Sequence, residues 1–91
     1  MNVADRIQDL LRRKLSASKV EVSDESGLHK GHQEAMKGGG HYSVFVVSDL
    51  FQDKPLIERH RQIYNALSEL TSEIHALAIK AYTVQETEKL K

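Results

Sequence analysis

The hydrophobic period of this 91-residue sequence switches repeatedly between helix and strand values, and that switching limits the chain to a layered mixture of both. Val3, Ile7, Leu10, Leu11 and Leu15 recur every three or four residues, the spacing of an amphipathic helix. Asn2 is placed to cap it, Asp5 suits its positive end, and Arg12, Arg13 and Lys14 suit its negative end. Helix formers thin out at Ser16-Ala17-Ser18, and Lys19-Val20-Glu21-Val22-Ser23-Asp24 then alternates as a strand with one wet face. A stronger strand spans Tyr42 to Ser48, where β-branched and aromatic side chains concentrate. After Pro55 the helical period returns through Leu56, Ile57, His60, Ile63, Tyr64, Leu67 and Leu70, as one helix or as a short and a longer one divided by a kink or break near Arg59-His60. A third strand reads from His75 to Thr83, with Leu77, Ile79 and Ala81 on one face. Thr83 and Glu86 then form a capping-box pattern for a short last helix.

These elements predict one α+β domain over residues 1–91, an α/β sandwich with three strands and helices packed on one face. The absence of cysteine excludes a disulfide scaffold, a thiolate nucleophile and any iron–sulfur or zinc site built on the chain's own sulfur. Thirteen basic and thirteen acidic residues balance to a net charge of zero, without the basic excess expected of a protein living on nucleic acid. A polar start without a secretory pattern, and no apolar run of membrane-spanning length, predict a cytoplasmic protein with no membrane association.

The histidines are the unusual feature, five of them between His29 and His75. His29 and His32 sit within the glycine-rich stretch between the first two strands, which ends in Gly38-Gly39-Gly40, and His41 stands at its exit. Neutral imidazole is a common transition-metal ligand, so these three can converge on one ion or simply be solvated. The glycine triplet precedes a strand, whereas phosphate-cradling loops follow a strand and open a helix, so it reads as a flexible connection. No nucleophile elbow, Walker loop or metalloprotease His pair is present, and the chain is read as non-catalytic. Glu58-Arg59-His60-Arg61 is the one concentrated basic feature. Arg59 and Arg61 project about 160° apart on a helix, too far for one tight fork. His60 reads as a half-buried packing residue, and Arg61 as a partner for Glu58 or Asn65.

Val46-Val47-Ser48-Asp49-x-Phe51, then Leu56-Ile57-x-Arg59-His60-Arg61-x-Ile63-Tyr64, and finally His75-Ala76-Leu77-Ala78-Ile79-x-Ala81-Tyr82-Thr83 closely resemble the BolA family across nearly the whole chain. The resemblance implies a fold similar to class II KH domains, α-β-β-α-α-β-α with a three-stranded mixed sheet, in the element order read above. It implies a partner, a monothiol glutaredoxin with glutathione, that shares a [2Fe–2S] cluster in iron–sulfur trafficking or iron and redox sensing. The family also includes DNA-binding transcription regulators of stress response and cell morphology. By resemblance His75 is a cluster ligand, and the second comes from the loop between the first strands, ranked His41 and His29, then His32. The Arg59-His60-Arg61 signature matches residues of packing and partner contact. Lys54, Arg59, Arg61 and Lys80 are the cations that a DNA-binding surface would use. Alone, the chain is expected to be a monomer or weak homodimer. Two departures from common relatives stand out: Asp53 replaces a glycine, and the stretch from Tyr64 to His75 is about one residue shorter. Imidazole ligands bind metal only when neutral, so such ligation weakens on mild acidification, and in Rieske-type centres they raise the reduction potential.

Overall fold

The computed structural model describes residues 2–26 and 39–90. Helix α1 runs from Val3 to Leu15 and is capped as its sequence predicts, with the Asn2 side chain accepting the Asp5 N–H at 2.8 Å. Its apolar stripe of Ile7, Leu10, Leu11 and Leu15 is buried, and Ser16 ends it in the left-handed region at φ 49°. Strand β1 (Lys19–Asp24) pairs antiparallel with β2 (Gly40–Val47), setting Val20 against Val46 and Val22 against Val44. Strand β3 (Ile74–Tyr82) lies on the other side of β2 and parallel to it, with Tyr42 opposite Leu77, Val44 opposite Ile79 and Val46 opposite Ala81. The result is the expected mixed sheet in the order β1-β2-β3.

A parallel β2–β3 pair needs a crossover, and the chain supplies it with helix. Ser48 leads out of β2, fully buried, its hydroxyl donating to the Leu15 carbonyl at 2.6 Å and accepting from the Leu50 N–H at 3.1 Å. One hydroxyl thus satisfies an orphan carbonyl at the end of α1 and caps the 3₁₀ turn Asp49–Phe51. Asp53 then takes φ 61°, the left-handed conformation that aspartate tolerates better than most residues. Pro55 is the N-cap of α2 (Leu56–Ala66), a 3₁₀ segment covers Ser68–Glu73, and α3 (Val84–Glu88) closes the chain with the predicted Thr83–Glu86 capping box. The long helices pack on one sheet face around Ile7, Leu11, Val44, Val46, Phe51, Ile63 and Leu70, while α3 borders the other face beside Phe45 and Val47.

Two expectations about α2 need correction. The helix passes through Arg59-His60 without a break, and the extra short helical piece lies before Pro55 instead. Its buried face is also rotated from the predicted stripe: Arg59, Ile63 and Ala66 point inward, while Leu56, Ile57 and Tyr64 are 64%, 61% and 54% exposed. The physical reason is Arg59, whose buried hydrogen bonds fix the rotation of the helix. His60 lies at the boundary, half-buried as expected. Among the described residues, no helix is long and apolar enough to cross a membrane.

Candidate metal-ligating site

His41 and His75 meet where β2 and β3 begin. Their rings stack with centroids 5.1 Å apart and planes inclined by 20°. Strict alternation along β3 would not allow this, because Leu77, Ile79 and Ala81 face the core and His75 would share their side. The register shifts at this point: Gly40 pairs with Ile74 and His41 with Ala76, leaving His75 as an extra residue. That bulge turns His75 out of step, so it is exposed beside His41 instead of buried under the sheet.

The backbone around the pair is tightly specified. Ser26 Oγ accepts the His41 N–H at 2.9 Å, and the His41 carbonyl accepts the Glu25 N–H at 2.8 Å. Gly39 has φ 106°, and a Cβ there would stand 2.7 Å from the Glu73 carbonyl carbon. At this position glycine provides a close crossing of β2 over the entry to β3, not only flexibility. Glu73 itself, two residues before His75, is held by both carboxylate oxygens to Arg6 Nη1 at 3.2 and 3.3 Å. The beginning of β3 is thereby tied to α1. Tyr42 lies beneath, its hydroxyl pKa raised first by burial and then by the Asp24 and Glu73 carboxylates.

At the far end of β3 sits a second constellation, built on Arg59. Its Nε donates to the Lys54 carbonyl at 2.8 Å and its Nη1 to the Ala81 carbonyl at 3.0 Å. Nη1 and Nη2 also bind the two Glu86 oxygens at 2.6 and 2.9 Å. The fork holds the start of α2, the end of β3 and α3 together. Glu86, in addition, accepts the Thr83 N–H at 2.9 Å. The Arg59 hydrogen bond, reinforced by Thr83, lowers the Glu86 carboxyl from its usual 4.5 to about 2.

A sequence profile described as BolA-like protein matches residues 11–86. This chain belongs to the BolA family. It is 37% identical over 92 residues to the DNA-binding transcriptional regulator BolA of Escherichia coli K12, covering 100% of this chain and 85% of that protein. It is 41% identical over 87 residues to SufE-like protein 1 of Arabidopsis thaliana, a match that spans 89% of this chain but only 24% of that longer protein. The solved structure of the BolA domain of SufE1 from Arabidopsis thaliana superposes with a TM-score of 0.78 at 40% identity, over 94% of this chain and 98% of that one. The BolA fold read from the sequence is therefore the fold of this chain.

Among the expected ligands, the fold brings His75 and His41 together; His29 and His32 lie outside the described residues. Among the described residues, no group of three or more His, Cys, Asp or Glu is arranged to hold a metal ion. The expected cation set does not form one surface. Arg59 is 7% exposed and already bonded to two carbonyls and the Glu86 carboxylate, which makes it a structural residue and not part of an exposed cation surface. Arg61 pairs with Glu58 at 2.8 Å on the exposed side of α2. Lys80 emerges from the sheet face opposite α2, and Lys54 is exposed before that helix. Sequence reasoning missed Glu86 as a partner of Arg59. The available signal was an arginine on the same helical arc as Ile63, Ala66 and Leu70, a position that demands a buried counter-charge.

Proposed function

We propose that this BolA-family chain is a non-catalytic adaptor that lends His75 and His41 to a [2Fe–2S] cluster shared with a monothiol glutaredoxin and its glutathione. The observation that carries the reading is the stacked imidazole pair at the mouth of two strands, where a bulge exposes His75 beside the half-buried His41. Imidazole suits iron, and two such ligands make half of the four-ligand requirement of a [2Fe–2S] centre. Without cysteine, the remaining ligands must come from another molecule, which is the division of labour a shared cluster requires. When bound, the cluster supplies electron-transfer or iron–sulfur transfer chemistry. The chain's own contribution is to hold two imidazoles side by side, with Ser26, Glu25 and Gly39 fixing the backbone beneath His41.

The test is to mix the protein with a cluster-loaded monothiol glutaredoxin and record visible absorption and circular dichroism, for wild type, His75→Ala and His41→Ala. The expected result is a new spectrum with wild type that either substitution abolishes or alters. A spectrum unchanged by the wild-type protein would sink the proposal.

A second reading, a DNA-binding regulator, is favoured by the Escherichia coli relative, a DNA-binding transcriptional regulator. It would rest on Lys54, Lys80 and Arg61, with Arg59 withdrawn. A gel-shift titration tests it: sequence-specific binding that persists at physiological salt supports it, and binding lost near ~150 mM salt without sequence preference counts against it.

A further inference from the structure

Strand β3 has one neighbour, β2, and its other side is the end of the sheet. The Tyr82 carbonyl accepts from the Ser48 N–H at 2.9 Å, on the β2 side. The Ala81 carbonyl turns the opposite way, to Arg59 at 3.0 Å. Main-chain groups of a strand alternate sides residue by residue. Leu77 and Ile79, in step with Ala81, therefore present their N–H and C=O to the open edge, and no other element among the described residues bonds them.

The other edge of the sheet is defended differently. Strand β1 alternates its valines with Lys19 and Glu21, which pair at 3.5 Å, and charged edges of this kind resist strand addition. In β3, Ile-His-Ala-Leu-Ala-Ile-Lys-Ala-Tyr, Lys80 is the only Lys, Arg, Asp or Glu. Beside this edge runs an apolar groove lined by Tyr64, Leu67, Thr71, Ile74 and Leu77, between α2, the 3₁₀ segment and β3. Leu67 and Leu77 are anchored in or against the core, while Tyr64 stands exposed as the outer wall.

An open edge flanked by an apolar groove is the arrangement that takes an extended peptide by strand addition: main-chain bonds hold it, and a groove receives every second side chain. We propose that the β3 edge docks an extended segment of a protein partner, which pairs with Leu77 and Ile79 and seats an apolar side chain in the Tyr64 groove. The edge dictates that chemistry, because alternating N–H and C=O groups are matched by another extended backbone and not by a phosphate chain. Lys80 makes no ion pair among the described residues and favours an acidic residue on the peptide's outward side. Arg59 already occupies the Ala81 carbonyl, so the docked segment is confined to the half of β3 that begins at His75. A partner held here lies next to the imidazole pair. The inference goes beyond the cluster reading and does not depend on it, because the groove is tested with no cluster present.

The test pans the immobilised full-length protein against a phage-displayed library of random peptides. A selected peptide is synthesised and titrated into isotope-labelled protein, with amide hydrogen exchange read by NMR. Selected sequences are expected to carry apolar residues at alternate positions. The amides of Leu77 and Ile79 should slow by about tenfold or more on saturation, while Ala78 and Lys80, directed at β2, stay unchanged. Tyr64→Glu, at an exposed position, and Thr71→Trp, which fills the groove, should each weaken binding by about tenfold without moving the melting temperature. Failure to enrich any peptide, enrichment without the alternation, or unchanged exchange at Leu77 and Ile79 each overturns the proposal. So does protection of those amides by rising protein concentration alone, which would make a second copy the occupant, or by oligothymidylate in place of peptide.

Discussion

The two ends of β3 treat polar side chains in opposite ways. At its start, His75 is pushed outward by a bulge and stacked on His41, with its ring exposed to whatever approaches. At its finish, Arg59 is buried, and its donors are spent on two backbone carbonyls and a carboxylate. The first end spends backbone specificity to display side chains, while the second spends side chains to fix the backbone. Of these two residues only His75 has a side chain still available to a partner. The hydrogen bonds a side chain has already made decide whether it can serve as a contact residue.

The largest effect should come from breaking the closed end. Arg59→Ala leaves the Lys54 and Ala81 carbonyls without their donor and the half-exposed Glu86 carboxylate without its guanidinium, a loss expected to cost about 2–4 kcal/mol in denaturant unfolding. A cost below ~1 kcal/mol would mean that the clamp is dispensable and that Arg59 is free for other work. Arg59→Lys keeps the charge but not the fork and should fall between the two. Next in size is Gly39→Ala, where a methyl group meets backbone that cannot swing aside and φ is 106°. About 1–3 kcal/mol is expected, with the His41–His75 spacing disturbed as well, so this variant should also weaken the spectral change with a loaded glutaredoxin.

These sites differ in how far they could be read in advance. Short-range features were legible: Asn2 capping α1, the Thr83–Glu86 box and the alternation of β1 each depend on neighbours within a few residues. The rotation of α2 was not, because Leu56, Ile57 and Tyr64 fit a helical apolar stripe as well as the residues that are actually buried. What selects the buried face is the Arg59–Glu86 pair, and its partners are 27 residues apart in the chain. The candidate site was legible by residue type alone. The family resemblance pointed to His75 and left several histidines for its companion, whereas a register shift between two strands brings His41 beside it. A one-residue bulge changes no period long enough to be seen in a sequence.

Acid gives a graded way to test the closed end. The Glu86 carboxyl is lowered from 4.5 to about 2 in the folded chain, chiefly by Arg59 and then by the Thr83 N–H. A depressed folded pKa means that its contribution is complete above the unfolded value near 4.5 and disappears as pH falls through about 2. Because the Glu86 side chain is 38% exposed, solvent screening trims the contribution to about 1 kcal/mol. Stability measured from pH 6 downward should therefore fall within that window, and Glu86→Gln should flatten this part of the fall while lowering the plateau. An unchanged profile in Glu86→Gln would mean that other carboxylates carry the acid response.

The smallest stability change is expected at the open end, and it is the sharpest test of the contrast. His75 is exposed, it is the extra residue of a bulge, and its ring packs on one other ring and not into the core. His75→Ala should shift unfolding by no more than about 0.5 kcal/mol, the range of surface substitutions. The same substitution should nonetheless remove the spectral response to a cluster-loaded glutaredoxin. If it destabilised the fold as Arg59→Ala does, the stacked pair would be a packing device, since a side chain already committed to the fold has little left to offer a metal. Stability retained with the response lost would leave ligand display as the role that accounts for both the bulge and the close glycine crossing beneath it.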